Sequence, residues 1–184
     1  MANSFKSKQV VTPEGRLLFP ALFEPKAFEN STVEKYSCVL AFDANTDLSL
    51  LINEVREAAK AAGLDKGSRN PLCKGDDKVA EWGDAFAGTT YIRIATQFKP
   101  FVCDRNKQEI LDPSKVYSGC YARAVVHAYP YNKVGNKGVS FGLDSIQITR
   151  DGERLGSSGA ASASLFDELP DAPKAPAADP FADL

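Results

Sequence analysis

Two hydrophobic periods run along the chain. Over most of its length apolar residues recur at every second position, as in strands that turn one face inward. One stretch breaks that rhythm. In DANTDLSLLINEVREAAKAAG, Leu48, Leu51, Ile52, Val55 and Ala59 recur at spacings of three and four, which sets them on one stripe of a helix. Thr46 or Asp47 offers a capping oxygen, and Gly63 offers the left-handed residue that stops the helix. The spacing predicts a single amphipathic helix over 47–62, acting as a packing element.

Segments 36–42, 90–101, 117–129 and 139–149 are rich in Tyr, Phe, Val, Ile and Thr and read as strands, with one or two more within 5–23. Turn signals fall between them at Gly67-Ser68, Gly75-Asp76, Asp112-Pro113 and Gly135-Asn136-Lys137-Gly138. Long loops near 64–89 and 102–116 complete the inventory. The fold class expected is mainly β: an OB-fold-like antiparallel β-barrel with one amphipathic helix and long loops. A β-sandwich is the structural alternative.

The stretch VYSGCYARAVVHAYPY carries the strongest chemical signal. Its even positions, Ser118, Cys120, Ala122, Ala124, Val126 and Ala128, are small and suit a tight barrel interior. Its odd positions include Tyr117, Tyr121, Arg123, His127, Tyr129 and Tyr131. A solvent face normally carries Thr, Lys, Glu and Ser. Tyrosines interleaved with arginine suit a surface where bases stack and cations meet phosphates. Segment 90–101 repeats the pattern, with Ile92, Ile94 and Phe98 read as interior and Tyr91, Arg93, Lys99 and Phe101 as outer. Arg105, Lys107, Lys133 and Lys137 in flanking turns extend the basic footprint. The competing reading packs these tyrosines under a loop or the helix and pairs the arginines with carboxylates; His127 reads as structural.

Charge then divides the chain. Its formal net charge is −2, but residues 160–184 set Asp167, Glu168, Asp171, Asp179 and Asp183 against Lys174, leaving a body of +2. The segment after Gly156 is rich in Gly, Ser, Ala, Pro and Asp, and buries too little apolar surface to offset the entropy of ordering. The expected organisation is a binding domain over 1–157 and a disordered acidic tail over 158–184. Within the tail, Phe166 beside Asp167, and Phe181 between Asp179 and Asp183, read as docking peptides for a partner.

Several functions find no support. There is no GxxxxGK[ST] phosphate loop and no GxSxG elbow. Four scattered cysteines and one histidine argue against a zinc site, so neither metal nor cofactor is expected. Asp76, Asp77, Glu81 and Asp84 are the residues a metal-dependent nuclease would use, and that reading stays as an alternative beside a structural or scaffolding role. No apolar run approaches the ~20 residues of a membrane span, and no secretory signal is evident, so a cytoplasmic protein is expected.

With those residues in view, NPLCKGDDK (70–78), FKPFVCDRN (98–106), the run 117–147 and RDGERLGS (150–157) resemble the phage Enc34-type single-stranded DNA-binding proteins. The likeness spans about Phe19 to Ser157, and YPYNKVGNKGVSFGL is its most specific part. It implies an OB-fold similar in design to the T7-type phage protein. It also implies non-catalytic, largely sequence-independent binding of single-stranded DNA in replication, recombination or repair. Replication or recombination proteins would meet the tail. Exposed edge strands permit a homodimer.

Overall fold

The computed structural model describes residues 7–27, 31–133 and 135–155. The tail residues Phe166, Asp167, Asp179, Phe181 and Asp183 lie outside the described residues. Eight strands form: β1 (Gln9–Val11), β2 (Gly15–Ala27), β3 (Glu34–Phe42), β4 (Leu72–Lys74), β5 (Thr90–Thr96), β6 (Phe101–Cys103), β7 (Tyr121–Lys133) and β8 (Asn136–Arg150). Helix α1 (Ser49–Ala61) follows β3, and the single-turn helix α2 (Val79–Trp82) lies between short 3₁₀ turns at Gly75–Lys78 and Asp84–Phe86.

Pairing closes a ring. β2 pairs with β3, β3 with β5, β5 with β8, β8 with β7, and β7 returns to β2. The β5–β8 pair is parallel, and the other pairs of the ring are antiparallel. β1 prolongs β2 along β7, while β6 prolongs β5 along β8. This is the OB-fold-like barrel the alternation implied, with one parallel seam in an otherwise antiparallel wall.

The interior follows the alternation, with even-numbered positions inward on β3, β5 and β7 and Phe141 inward on β8. Leu40, Phe42, Ile92, Ile94, Cys120, Ala122, Ala124, Val126, Ala128 and Phe141 are buried together. Small side chains from β7 let the ring close, because large ones opposite, Phe42 and Phe141 among them, already fill the bore. Helix α1 packs against β7 and β8 through Leu51 and Ala58, with Leu48, Val55 and Ala59 half-buried beside them. The Asp47 carboxylate accepts the Ser49 N–H at 2.9 Å, and Gly63 has φ +62°. Gly63 ends the helix as expected, whereas the N-cap is Leu48, one residue past Asp47, and it carries no side-chain cap.

Three local expectations fail. The strand expected over 90–101 is two strands, and Phe98, expected inside, is 81% exposed. The Thr96 hydroxyl accepts the Phe98 N–H at 3.2 Å and turns the chain, and Pro100 brings no donor to resume the ladder. Residues 117–120 precede β7 rather than opening it, because Gly119 turns the backbone at φ +115°. The region 64–89 is not a plain loop: β4 pairs with β5, and the turns after it fold over the barrel. Among the described residues, no helix is long and apolar enough to cross a membrane.

Ala124 is 1% exposed inside the closed ring. Ala124→Leu should destabilise the protein by about 1–3 kcal/mol. Denaturant unfolding would show this as a lower midpoint with an unchanged slope.

Candidate nucleic-acid interface

Part of the barrel's outer wall is covered. Leu18, Val39, Ala41 and Tyr91 point away from the bore, yet all are buried beneath Phe86, with Trp82 half-buried beside them. Trp82 organises this cluster, with ring centroids 5.0 Å from Tyr91, 5.6 Å from Phe86 and 5.2 Å from Phe19. The covering segment is anchored at Gly75, whose N–H donates to the Thr89 carbonyl at 2.8 Å. A Cβ at Gly75 would strike Thr89 and the Phe86 carbonyl, so only glycine fits. Asp76 accepts the Gly88 N–H at 2.8 Å, and Glu81 pairs with Lys78 at 2.7 Å. Two of the four carboxylates considered for a nuclease are thus engaged in holding this segment. Among the described residues, no group of three His, Cys, Asp or Glu side chains converges to hold a cation.

The rest of that wall is open. A cleft of about 550 Å³ begins at Phe19 and Trp82 and runs past Lys26, Ser37 and Arg93. A second hollow, of about 270 Å³, shares those last three residues and continues through Lys35 and Ala95 to Tyr129 and Ser140. Register explains the continuity. Ser37 sits opposite Ala95, and Val39 opposite Arg93, so neighbouring outward side chains of β3 and β5 form its floor. Ser31 and Val33, from the β2–β3 connection, bound one side, and the β7–β8 hairpin bounds the other. Exposed aromatic rings stand at both ends with Lys26, Lys35 and Arg93 between them. Aromatic rings with cations between them are the groups that stack bases and meet phosphates along a single strand.

Phe19 reaches the cleft through a strained backbone. β2 bulges between Leu18 and Ala21, and Phe19 has φ +48°, a region disfavoured for a bulky side chain. Pro20 follows, which restricts Phe19 further. Such a conformation costs about 1–3 kcal/mol and persists only where its surroundings dictate it. Here the Ser118 hydroxyl accepts the Phe19 N–H at 2.9 Å, and the ring packs on Trp82 while remaining 52% exposed. The bulge thus aims an aromatic ring into the cleft.

The structure separates the residues that the alternation had grouped. Arg93 and Tyr129 line one cleft. Tyr131 lies on the hairpin beyond Tyr129, its hydroxyl 3.4 Å from Asn136, and Lys133 and Lys137 occupy the tip. Tyr91 does not belong to an open face: it is 7% exposed, and burial raises its pKa. Tyr121 lies under Arg150, whose guanidinium is 3.5 Å from the ring centroid. Tyr117 lies under Arg154 and bonds Asp151 through its hydroxyl. Arg123 is exposed on the β7–β8–β6 side, donating to Gln147 at 2.7 Å, and Gln147 in turn donates to the Arg105 carbonyl. Phe101 and Lys107 belong to that side as well, and Lys99 lies on the exposed link between β5 and β6. His127 pairs with Asp144 at 2.9 Å, in keeping with its structural reading.

Phe19, Trp82, Lys26 and Lys35 were not foreseen. The lone tryptophan and the Phe19-Pro20 pair were the available signals. The two lysines sit at strand ends, where alternation says little about direction.

Comparisons with known proteins agree with this architecture. Residues 8–175 match the family described as "Enterobacter phage Enc34, ssDNA-binding protein". The chain is 34% identical over 170 residues to "Putative protein p50" of Acyrthosiphon pisum secondary endosymbiont phage 1, covering 84% of this chain and 90% of the relative. The single-stranded DNA-binding protein from bacteriophage Enc34, solved in complex with ssDNA, superposes with a TM-score of 0.69 at 19% identity. That match covers 80% of this chain and 89% of the other. The single-stranded DNA binding protein gp2.5 of bacteriophage T7 superposes with a TM-score of 0.59 at 14% identity, over 91% of this chain and 100% of its own. At these identities the two structures speak for the fold.

Tyr91→Ala should cost about 3–5 kcal/mol, the loss expected for a buried ring. An exposed residue would cost under about 0.5 kcal/mol. Thermal and denaturant unfolding measure the difference directly.

Proposed function

The chain belongs to the Enterobacter phage Enc34 family of ssDNA-binding proteins, and on that premise we propose that it binds single-stranded DNA without catalysis along the Phe19–Tyr129 groove. One observation carries the reading. The groove crosses β3 and β5 between the β2–β3 connection and the β7–β8 hairpin, which is where OB-folds take oligonucleotides. Phe19, Trp82 and Tyr129 stack on bases, and Lys26, Lys35 and Arg93 meet phosphates. Stacking tolerates any base, so binding is largely independent of sequence. Such an activity serves phage DNA replication, recombination or repair in the host cytoplasm.

A labelled oligo-dT of about 30 nucleotides, followed by fluorescence anisotropy, should bind well ahead of its duplex. With about four phosphates neutralised, the log-log salt slope should be about −3. Tyr129→Ala should weaken binding by roughly 1–3 kcal/mol, and Arg93→Ala should flatten the slope by about 0.7. Arg123→Ala serves as the control, since Arg123 lies on the β7–β8–β6 side of the barrel; equal flattening there would move the DNA path to that side. No preference for the single strand would refute the reading altogether.

The acidic tail competes for the same groove and docks partners through Phe166 and Phe181. Leu155, the last described residue, lines the same notch as Phe19 and Trp82, so the tail starts at the groove's mouth. Its carboxylates resemble a weak phosphate chain beside a basic surface. Removing residues 158–184 should therefore tighten DNA binding at low salt and change little at high salt. Equal affinity at low salt would reject the competition and leave docking as the tail's role.

A further inference from the structure

The connection after α1 is bonded to the tip of the β7–β8 hairpin. The Arg69 N–H donates to the Lys137 carbonyl at 2.9 Å, and the Val139 N–H donates to the Arg69 carbonyl at 3.1 Å. Gly138 makes this approach possible, because the Arg69 backbone fills the space a Cβ would need. The result is an open hollow of about 400 Å³ lined by Arg69, Asn132, Lys133, Asn136 and Lys137. Three of those five side chains are cations and two are amides.

One acid answers them. Asp65 accepts from the Lys137 ammonium at 2.6 Å through one oxygen. Its other oxygen accepts the Gly67 N–H at 3.1 Å and the Ser68 hydroxyl at 3.2 Å. A lysine, a backbone N–H and a hydroxyl are also the donors that hold the oxygens of a nucleic-acid phosphate. Among the described residues, Arg69 and Lys133 take part in no ion pair. The hollow thus carries more cationic charge than its one carboxylate neutralises. It also lies on the hairpin that bounds the DNA groove: Lys133 is four residue steps along β7 from Tyr129, about 13 Å along a strand.

We propose that the Arg69–Lys133–Lys137 hollow is a second phosphate site for a DNA strand leaving the groove, and that Asp65 stands in for that phosphate until DNA displaces it from Lys137. The proposal rests on the groove reading and deepens it. The exposed Lys137–Asp65 pair is weak and screened by salt, so a phosphodiester bringing base stacking with it wins the exchange. Asp65 therefore holds Lys137 in place in the free protein and subtracts from the affinity of the bound one. The strand's path grows beyond the Phe19–Tyr129 span, and short oligonucleotides never feel the hollow.

The test is anisotropy with full-length protein and oligo-dT of about 4 and about 16 nucleotides, the range of sites found on single OB-folds. Asp65→Asn should tighten the longer oligomer about two- to fivefold at low salt, the equivalent of one exposed ion pair, and leave the shorter unchanged. Arg69→Ala should weaken only the longer one and flatten its salt slope by about 0.7. In a Lys137→Gln background the Asp65→Asn gain should vanish, which separates the exchange from a general change in charge. Thermal melting of each variant checks that the hairpin holds, and the Lys137→Gln comparison stands even if Asp65→Asn melts early. If Asp65→Asn gives no gain on the longer oligomer, or an equal gain on both, the hollow is no phosphate site. Inorganic phosphate at constant ionic strength should displace no more DNA from the wild type than chloride does; greater displacement would assign the hollow to free anions instead. Wild-type protein that binds neither oligomer would refute the groove itself, whereas wild-type binding without the Asp65 effect would refute this proposal alone.

Discussion

A five-stranded ring closes only if its bore is filled to normal packing density without overfilling, and that constraint underlies the rest of this molecule. Phe42 and Phe141 take much of the volume, so β7 supplies Ala122, Ala124 and Ala128 at the facing positions, with Cys120 just before it. With the bore satisfied, the outward side chains of the ring are released from core duty. What each does then depends on what lies over it. The segment 75–86 covers Leu18, Val39, Ala41 and Tyr91 and makes a second small core. Where that cover ends, the same strands present Ser37, Arg93 and Ala95 to an open groove.

That division explains which parts were legible in the sequence. Strand positions, the inward set on β7, helix α1 and its Gly63 stop all follow from local periodicity and local capping. These signals act over a few residues, so one sequence displays them fully. Tyr91 and Arg93 share a strand and a face, yet one is a buried ring and the other lines a groove. Nothing local separates them; only Trp82 and Phe86, which fold back over Tyr91, do so. Phe98 and Phe19 were hidden for the opposite reason. In each case the backbone leaves its regular path, at the Thr96 turn and at the β2 bulge, and a single break of phase redirects a large side chain. The basic-aromatic character of the surface was readable. Its partition between two sides of the barrel was not, because strand order is a property of the closed ring.

Tyr117 and Tyr121 show the same logic from the other side. Both were grouped with Tyr129 by alternation, and both are covered by the end of β8 and the segment that follows it. Arg150 lies over Tyr121, Arg154 lies over Tyr117, and the Tyr117 hydroxyl bonds Asp151 and the Gly152 carbonyl. Gly119 and Gly152 let the two backbones pass closely, since a Cβ at either would meet the other strand's carbonyls. The tyrosines of residues 117–131 thus lie in two places: Tyr117 and Tyr121 pack against the chain at and after the end of β8, and Tyr129 and Tyr131 lie along the groove and the hairpin.

The exit and the groove meet at one residue. The Ser118 hydroxyl accepts the Phe19 N–H, and the Ser118 carbonyl accepts the Leu155 N–H at 2.9 Å. Phe19 keeps its left-handed conformation partly through the first bond, and the chain after β8 is held by the second. A change in how residues 151–155 lie would therefore be felt at the ring that opens the groove, through one hydroxyl and one turn at Gly119. At φ +48° Phe19 has a backbone disfavoured for a bulky residue, so it depends on that support. Leu155, the last described residue, is thus bonded to the same serine that supports Phe19.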